Sequence, residues 1–159
     1  MSRGSMTQKY LAAQEIISDS HREYDSQERR FAFSFAVPGD PVPKPRPRVM
    51  ANGGVYYPEP RKGMGYTAFK EWVQICFLEQ AHRRSEWPST ACFALEVEYH
   101  ARGIGKRDTD NIVGSFMDAL QGLVWVDDRL VTDVRCFKVV DVGKRQEPYC
   151  IVRVGKITN

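Results

Sequence analysis

The 159-residue chain has no apolar run approaching the roughly 18 residues that a membrane helix needs. Near its start it also lacks the apolar stretch and small-residue cleavage site of a secretory signal, so we expect a cytoplasmic protein without a membrane segment. A composition of 42% hydrophobic and 27% charged residues excludes wholesale disorder and fibrous folds. The length suits one domain, with or without a tail.

Cysteine is scarce, and its spacing argues against a zinc site. The four residues are Cys76, Cys92, Cys136 and Cys150, and no two of them form a C-x-x-C pair. Structural zinc sites generally combine such a pair with further cysteines or histidines. Each cysteine lies within an apolar stretch, so we predict four buried free thiols that act as small hydrophobic residues.

The net charge of +3 is distributed unevenly along the chain. Residues 38–62 carry five basic and two acidic side chains, and residues 100–107 carry three basic and no acidic ones. Residues 108–133 hold six aspartates and one arginine, after which the last 26 residues are basic again. A dense acidic island in a basic protein says more about function than the total charge does.

Apolar periodicity predicts one α+β domain over residues 30–159, with a mixed β-sheet of about four strands and two main helices. The predicted elements, in order, are a strand over 31–37, a proline- and glycine-rich loop over 38–65, a helix over 66–84, a strand over 91–100, a helix that ends near 121, and a hairpin of strands over 130–140 and 148–154. Within 91–100, Glu96, Glu98 and His100 alternate with apolar residues, which predicts a solvent-exposed face. Residues 1–29 are predicted to form a mobile or weakly docked arm.

Asp108 and Asp110 stand between a predicted strand and a predicted helix. In an extended stretch, side chains at i and i+2 point the same way, which brings two carboxylates close together. Such carboxylates repel each other unless a cation lies among them, and hard divalent cations such as Mg²⁺ prefer oxygen ligands. The alternative is that Asp110 only caps the helix and that Asp108 is a solvated loop charge.

A second acidic pair, Asp127 and Asp128, follows the apolar run 123–126 beyond the same helix. A helix of about 12 residues is about 18 Å long, so the two pairs can meet only if the chain doubles back after Gly122. The alternative is a turn aspartate before the next strand. The two pairs together, beside basic segments, favour a metal site.

Basic side chains in two segments are candidates for binding a DNA backbone. In the segment 44–48, proline alternates with Lys44, Arg46 and Arg48, which favours a stiff extended backbone with its charges spaced at about 6 to 7 Å along one side. Phosphates on a nucleic-acid strand have a similar spacing. The second set, directly before the first acidic pair, is Arg102, Lys106 and Arg107. The alternative for the proline-rich segment is a solvated loop that resists aggregation.

Several motifs together resemble the RusA family of Holliday-junction resolvases, which are often carried by phages and prophages. The resemblance covers about residues 31–155, and the D-x-D-N, D-A-L and W-x-D-D string is its most specific part. The matching positions are Gly39-Asp-Pro41, Lys44-Pro-Arg-Pro-Arg48, Arg107-Asp-Thr-Asp-Asn111, Phe116-Met-Asp-Ala-Leu120, Gly122, Trp125-Val-Asp-Asp128, Val131 and Lys138.

The resemblance implies a homodimeric, magnesium-dependent endonuclease, with Mn²⁺ as a possible substitute ion, that places symmetric nicks across a four-way DNA junction. By position, Asp108, Asp110 and Asp128 correspond to the family's catalytic metal-binding acids. Asp127 and Asp118 also match motif positions and are secondary candidates. We interpret Asp118, which lies within the predicted helix, as a capping or supporting residue.

One position departs from the family pattern. The family has a catalytic lysine four residues after the second aspartate of D-x-D-N, where this chain has Gly114. Such a lysine is expected to stabilise charge at the scissile phosphate or to position the attacking water. We hypothesise that Lys138, or else Lys106, supplies this cation from another element.

Two other functional classes stay open at this point. A catalytically weak or inactive module would bind junction DNA in Mg²⁺ or in EDTA and would not nick it. A metal nuclease for other branched or single-stranded DNA would cut with little preference for a four-way substrate. A pure scaffold role leaves the aspartate spacing unexplained.

Overall fold

The computed structural model describes residues 31, 33–58, 63–81, 87–105, 107–140 and 147–157. The predicted arm over 1–29 and Lys106 lie outside these residues. The structure over the described ranges is a single α+β layer pair, as predicted. None of the helices in these ranges is long and apolar enough to cross a membrane.

The observed elements follow the predicted order closely. They are β1 (Phe33–Pro38), β2 (Arg48–Val49), β3 (Val55–Tyr56), α1 (Tyr66–Gln80), β4 (Phe93–Ala101), α2 (Thr109–Leu120), a 3₁₀ turn (Asp128–Leu130), β5 (Val131–Val140) and β6 (Tyr149–Lys156). The loop predicted over 38–65 also contains a short two-stranded ribbon, in which β2 pairs with β3. The sequence analysis had not predicted this ribbon.

The main sheet has the strand order β1-β6-β4-β5, and this order shows that the predicted hairpin is wrong. β4 lies between β5 and β6, pairing with β5 in parallel and with β6 antiparallel. The reason lies in α2, which connects β4 to β5 as a crossover helix and so places β5 on the outer side of β4. β6 then fills the position between β4 and β1.

Both helices pack on one face of the sheet and enclose the hydrophobic core. The core is built from the alternating apolar residues of β4, such as Leu95 and Val97, and from the inward faces of both helices, including Phe69 and Phe116. The parallel crossover places α2 against one face of the sheet. The side of α2 that faces away from the core lies next to the loop that follows β1, because Lys44 of this loop is hydrogen-bonded to Asn111 of α2.

The opposite face of β4 is less exposed than predicted. Glu96 is completely buried, whereas Glu98 and His100 are half-buried. Arg153 of β6 lies opposite Glu96 in the strand register and donates to the carboxylates of both glutamates, at 2.7 Å each. An ion pair with good hydrogen bonds offsets the cost of burying these charges, and period-two alternation alone cannot reveal such a pair.

The four cysteines are free thiols, but the prediction that all are buried is wrong for one of them. Cys76 and Cys150 are buried, Cys136 is partly buried and Cys92 is exposed. Cys92 immediately precedes β4, outside the segment that the sheet covers. Burial raises the pKa of the Cys150 thiol well above its ordinary value, which keeps this thiol protonated and unreactive.

Candidate functional site

The candidate site lies along the exposed side of α2. Asp110, Gly114 and Asp118 are spaced at i, i+4 and i+8, so they form one stripe down the helix. Asp110 and Asp118 are about 12 Å apart along the helix axis. The stripe therefore has two acidic ends and a central position without a side chain.

The N-terminus of α2 differs from the capping alternative considered for Asp110. Asp108 occupies the N-cap position, and its side chain makes no capping hydrogen bond. Asp110 lies in the first helical turn, where the helix dipole favours a negative charge. Both carboxylates remain exposed at this end of the helix.

The chain reverses direction after α2 at Gly122. Gly122 adopts a φ of 82°, which favours glycine, and its N–H donates to the carbonyl of Trp125 at 2.8 Å. The Trp125 side chain is fully buried, and its indole N–H donates to Oδ1 of Asp128 at 2.8 Å. A buried tryptophan thus fixes the orientation of the Asp128 carboxylate.

The reversal brings Asp128 close to Asp118, at the C-terminal end of the stripe. Burial raises the pKa of Asp128 above its ordinary value, and the nearby negative charge of Asp118 raises it further. The hydrogen bond from Trp125 and the positive charge of Lys44 act in the opposite direction. Asp128 is therefore a partly desolvated carboxyl group near a second acid, Asp118.

Asp127, which is adjacent in sequence, has the opposite electrostatic environment. Its carboxylate accepts the backbone N–H of Arg129 at 2.9 Å, together with two hydrogen bonds from the guanidinium at 3.0 Å. These bonds lower the pKa of Asp127 below its ordinary value. Asp127 thus caps the 3₁₀ turn, and its charge is already satisfied.

The basic loop after β1 lies directly over the α2 stripe. The backbone N–H of Lys44 donates to the carbonyl of Asn111 at 3.0 Å, which anchors the loop to the first turns of the helix. Arg46 donates to Asp110 at 2.6 Å and to the side chain of Asn111 at 3.1 Å. Lys44 donates to Oδ1 of Asp118 at 2.9 Å. Two basic residues of this loop, Lys44 and Arg46, therefore contact opposite ends of the stripe.

Gly114 is the point at which the loop comes closest to the middle of the stripe. A Cβ atom built at Gly114 would lie 3.6 Å from Cδ and 3.9 Å from Cβ of Lys44. The aliphatic part of Lys44 thus covers the position where other residues would have a side chain. The sequence analysis had noted both residues and had not connected them, because they are 70 positions apart.

Asp118 is held on its other side by α1. The hydroxyl of Tyr66, the first residue of α1, donates to Oδ2 of Asp118. Burial and this hydrogen bond raise the pKa of Tyr66 well above its ordinary value, so that the hydroxyl keeps its proton. These contacts join Asp118 to α1 and to the basic loop, and its supporting role stays a prediction. Tyr66 was not among the candidate site residues, because it is 52 positions from Asp118 and no local pattern links the two.

The other predicted basic residues lie around the N-terminal end of α2 and along the ribbon. Arg107 is 3.7 Å from Asp40, which also accepts a hydrogen bond from Tyr99. Arg102 pairs with Glu147 at 2.7 Å on the surface. Arg48 is exposed on β2. Arg102 and Arg107 lie in the segment between β4 and α2, and Arg48 lies on the ribbon.

Lys138 lies at the far end of β5 from Asp128. The parallel register places it beside Tyr99, seven residues and about 23 Å beyond Val131 at the start of the strand. This is the end of the sheet at which β4 leads towards α2. The structure thus brings Lys44, and not Lys138, to Asp128.

The donor chemistry of the site fits a hard divalent cation. Both ends of the stripe offer carboxylate oxygens, which hard divalent cations prefer as ligands. The pKa of Asp128 is raised chiefly by burial and further by the charge of Asp118, and a cation at this position would favour the charged form of the carboxyl. The described part of the chain contains no group of three acidic, histidine or cysteine side chains close enough to hold an ion. The assignment of Asp108, Asp110 and Asp128 to one metal therefore stays a prediction.

A comparison with protein families decides what kind of protein carries this site. The family model for the endodeoxyribonuclease RusA matches residues 38–149. The chain belongs to the RusA endodeoxyribonuclease family. Among curated proteins, no individual sequence matches the chain significantly. The region matched to RusA includes the basic loop, α2 and both acidic pairs, so the stripe lies within the part of the chain that defines a DNA-cutting enzyme.

Proposed function

We propose that this RusA-family protein is a magnesium-dependent endonuclease that resolves four-way DNA junctions by paired nicks. The observation that carries the proposal is the acidic stripe of α2 lying against a loop of lysine and arginine. This arrangement offers carboxylates for a cation and basic groups for phosphates within one surface. The RusA match makes DNA the substrate class.

In this proposal, Asp108 and Asp110 at the N-terminal end of the stripe and Asp128 at its C-terminal end would hold one or two cations, and Asp118 lies near Asp128. A bound divalent cation lowers the pKa of a water for attack on phosphorus and neutralises the leaving oxygen. The Trp125 hydrogen bond keeps the Asp128 carboxylate directed into the site. Arg46 donates to Asp110 in this structure. It would be free to bind a DNA phosphate if a cation took over the Asp110 carboxylate.

The cut itself is a hydrolysis. The water oxygen forms a bond to phosphorus, and the bond between phosphorus and one sugar oxygen breaks. The water gives up a proton and the leaving oxygen takes one up, so one water is added for each nick. No oxidant or further reactant is needed.

The basic residues around the stripe bind the sugar-phosphate backbone. The proposed contacts are Lys44, Arg46, Arg48, Arg102, Lys106 and Arg107. The exposed ribbon extends this surface, because Val49, Tyr56 and Tyr57 project into solvent next to Arg48. Exposed aromatic rings beside cations can stack on unpaired bases, which a branch point supplies.

Two cuts require two active sites. A four-way junction presents two equivalent strands related by a two-fold axis, and a homodimer with two-fold symmetry matches them. We therefore propose that each subunit of a dimer makes one nick.

The test is a gel assay with a labelled mobile four-way junction, in Mg²⁺ or in EDTA. The wild-type protein should produce two symmetric nicks in Mg²⁺ and none in EDTA, and Asp110→Asn should bind the junction without cutting it. Light scattering of the protein with and without junction DNA measures the dimer. Duplex of the same sequence is the matched control substrate.

Other results would point to the two competing classes. Junction binding without any nicking in Mg²⁺ or Mn²⁺ would identify a binding module, which the glycine at position 114 favours. Equal cutting of flaps, single strands and junctions would identify a less specific nuclease. In either case, paired resolution is wrong for this protein.

A further inference from the structure

The Lys44 side chain lies over Gly114, the position in α2 that has no side chain. The Lys44 chain crosses the helix at this position, with its Cδ 3.6 Å from where a Cβ would stand. A contact at this distance is ordinary van der Waals packing, so the lysine stem lies against the helix surface. A long side chain at position 114 would have to share this space with the lysine.

The position of Lys44 is fixed at both ends. Its backbone donates to Asn111 at 3.0 Å, and its ammonium donates to Asp118 at 2.9 Å. Prolines at positions 43 and 45 restrict the backbone on both sides of it. Because the stem is packed and the backbone is stiff, much of the entropy that a free lysine would lose on contacting DNA is already lost.

The ammonium group is nevertheless accessible. The Lys44 side chain is 52% exposed, whereas that of its partner Asp118 is 18% exposed. The same ammonium acts electrostatically on Asp128, so it is near both carboxylates at this end of the stripe. Lys44 is thus a solvent-accessible cation next to these acids, where a phosphate can reach it.

We propose that Lys44 is the catalytic cation of this enzyme and contacts the scissile phosphate from the basic loop across Gly114. Lys44 donates to the non-bridging oxygens, where negative charge builds up as water attacks phosphorus. Asp118 holds the ammonium in place until DNA arrives. This inference rests on the proposed nuclease function and replaces our hypothesis that Lys138 or Lys106 supplies the cation.

A catalytic role of Lys44 and a role only in DNA binding have different experimental consequences. A lysine that only binds the backbone would weaken DNA affinity when removed, and the rate of the bound complex would be unchanged. A lysine that stabilises the transition state would lower the rate of the bound complex, with little loss of affinity. Two measurements on the same variants therefore distinguish the roles.

The variants are Lys44→Ala, Lys44→Ala/Gly114→Lys and Lys156→Ala. The double variant removes the loop lysine and places an ammonium on the helix stripe in the space that Lys44 vacates. Lys156→Ala is the matched control, since it removes an exposed lysine from the end of β6. Junction affinity is measured in Ca²⁺, and single-turnover nicking is measured in Mg²⁺ at saturating protein. Thermal unfolding of each variant shows whether it is folded.

We expect Lys44→Ala to lower the single-turnover rate by about 10²-fold to 10³-fold. Its junction Kd in Ca²⁺ should change by less than about tenfold, the effect of one phosphate contact at moderate salt. The double variant should recover at least about tenfold of the lost rate, and Lys156→Ala should match the wild type.

Several results would overturn the inference. A Lys44→Ala protein that nicks at the wild-type rate when saturated shows that Lys44 only grips DNA. A folded double variant that recovers no rate shows that a cation over position 114 is not what the reaction needs. If the double variant does not fold, the comparison of rate with affinity in Lys44→Ala decides the question alone.

Failure of the proposed function looks different. A wild-type protein that binds junctions and cuts no DNA refutes the nuclease proposal and, with it, the idea that Lys44 compensates for Gly114. A wild-type protein that cuts together with a fully active Lys44→Ala variant refutes only the role of Lys44.

Discussion

At the scale of single residues, neighbouring positions in this chain have opposite electrostatic roles. Asp127 satisfies its charge within its own turn, whereas Asp128 is partly buried beside Asp118. The motif W-x-D-D shows two equivalent aspartates, and only the structure shows that the first is paired with Arg129 and that the second is partly buried. The difference arises from Trp125, whose burial directs Asp128 towards α2.

The two aspartates should respond oppositely to substitution by asparagine. The pKa of Asp128 is raised in the folded state, so its ionisation costs stability as pH rises above about 4 towards neutrality. Asp128→Asn keeps an oxygen for the Trp125 hydrogen bond and should therefore be more stable than the wild type at pH 7, with a smaller difference at pH 4. Urea unfolding across this range measures the effect.

Asp127→Asn is the matched comparison. The pKa of Asp127 is lowered in the folded state, so this aspartate contributes stability above its ordinary pKa and loses that contribution as pH falls. Asp127→Asn should therefore be less stable than the wild type at pH 7 and approach it in acid. If both variants shift stability in the same direction at pH 7, the contrast drawn between the two environments is incorrect.

Gly114 and Gly122 form another contrast at the residue scale. Gly114 lies inside α2 with a helical backbone, and a Cβ there would make only ordinary contacts with Lys44. Gly114→Ala should therefore raise the free energy of unfolding by about 0.5 to 1 kcal/mol, because glycine weakens a helix interior.

Gly122 has a φ of 82°, so alanine is strained there, although nothing lies within 4 Å of the added atom. Gly122→Ala should lower the free energy of unfolding by about 1 kcal/mol. Chemical denaturation of both variants beside the wild type measures the two changes. A destabilised Gly114→Ala protein would show that the space between α2 and the basic loop is tighter than these contacts indicate.

At the scale of elements, the helices and strands could be predicted from the sequence and the order of the strands could not. Period-two and helical patterns depend on neighbouring residues, so the limits of β4 and the end of α2 were predicted to within about two residues. Strand order depends on the edge of β4 at which β5 pairs after the chain leaves α2, and no local sequence pattern determines that edge. Strands β5 and β6, which are consecutive in sequence and joined by a short segment, were therefore predicted to form a hairpin.

The same limit applies to the candidate site. The acidic pairs and the basic loop were found because their residues cluster in sequence. The contact between Lys44 and Gly114 and the support from Tyr66 were not predicted, because each joins elements that are distant in sequence. The glycine at position 114, where the family has a lysine, was the one sequence signal for this part of the site. It did not show that Lys44 lies over Gly114.

One glutamine of α1 makes two hydrogen bonds to the backbone of the edge strand β1. Oε1 of Gln80 accepts the N–H of Ala36 at 2.9 Å, and its Nε2 donates to the carbonyl of the same residue at 2.8 Å. The side chain thus pairs with the outer edge of β1 as a neighbouring strand would. Ala36 is fully buried, so these backbone groups cannot turn to water instead.

Gln80→Leu should therefore lower the free energy of unfolding by about 2 to 4 kcal/mol, because it leaves a buried donor and a buried acceptor unpaired. Gln74→Leu is the control, since Gln74 makes a single bond to the carbonyl of Ala119 at 3.1 Å. Its loss should cost about 1 kcal/mol. Equal effects of the two substitutions in urea unfolding would contradict the special role of Gln80.

At the scale of the whole molecule, groups of opposite charge have different proposed roles. Basic side chains bind the DNA backbone, and acidic side chains bind the cation that is needed for cutting. The chain has a small net charge of +3, yet the basic loop lies over the acidic stripe and neutralises it in the absence of DNA. DNA phosphates and a divalent cation can replace these internal pairs together. The fold thus keeps a like-charge cluster stable by pairing it with the groups that later contact the substrate.

This arrangement predicts how junction binding depends on salt. Arg48 is exposed on β2 and forms no ion pair with any residue that the structure describes, so its full charge is available to DNA. A plot of log affinity against log salt concentration in Ca²⁺ should be steep for the wild type. For Arg48→Ala its slope should be shallower by about one, the value for one lost phosphate contact.

Arg129→Ala is the control for this measurement, because that guanidinium is engaged by Asp127 and its loss should leave the slope unchanged. Affinity for duplex DNA should fall with the same slope change in Arg48→Ala, since a phosphate contact carries no information about DNA shape. An unchanged slope in Arg48→Ala would mean that the ribbon does not touch the backbone. The DNA path would then have to run over the opposite side of the basic loop, past Arg102 and Arg107.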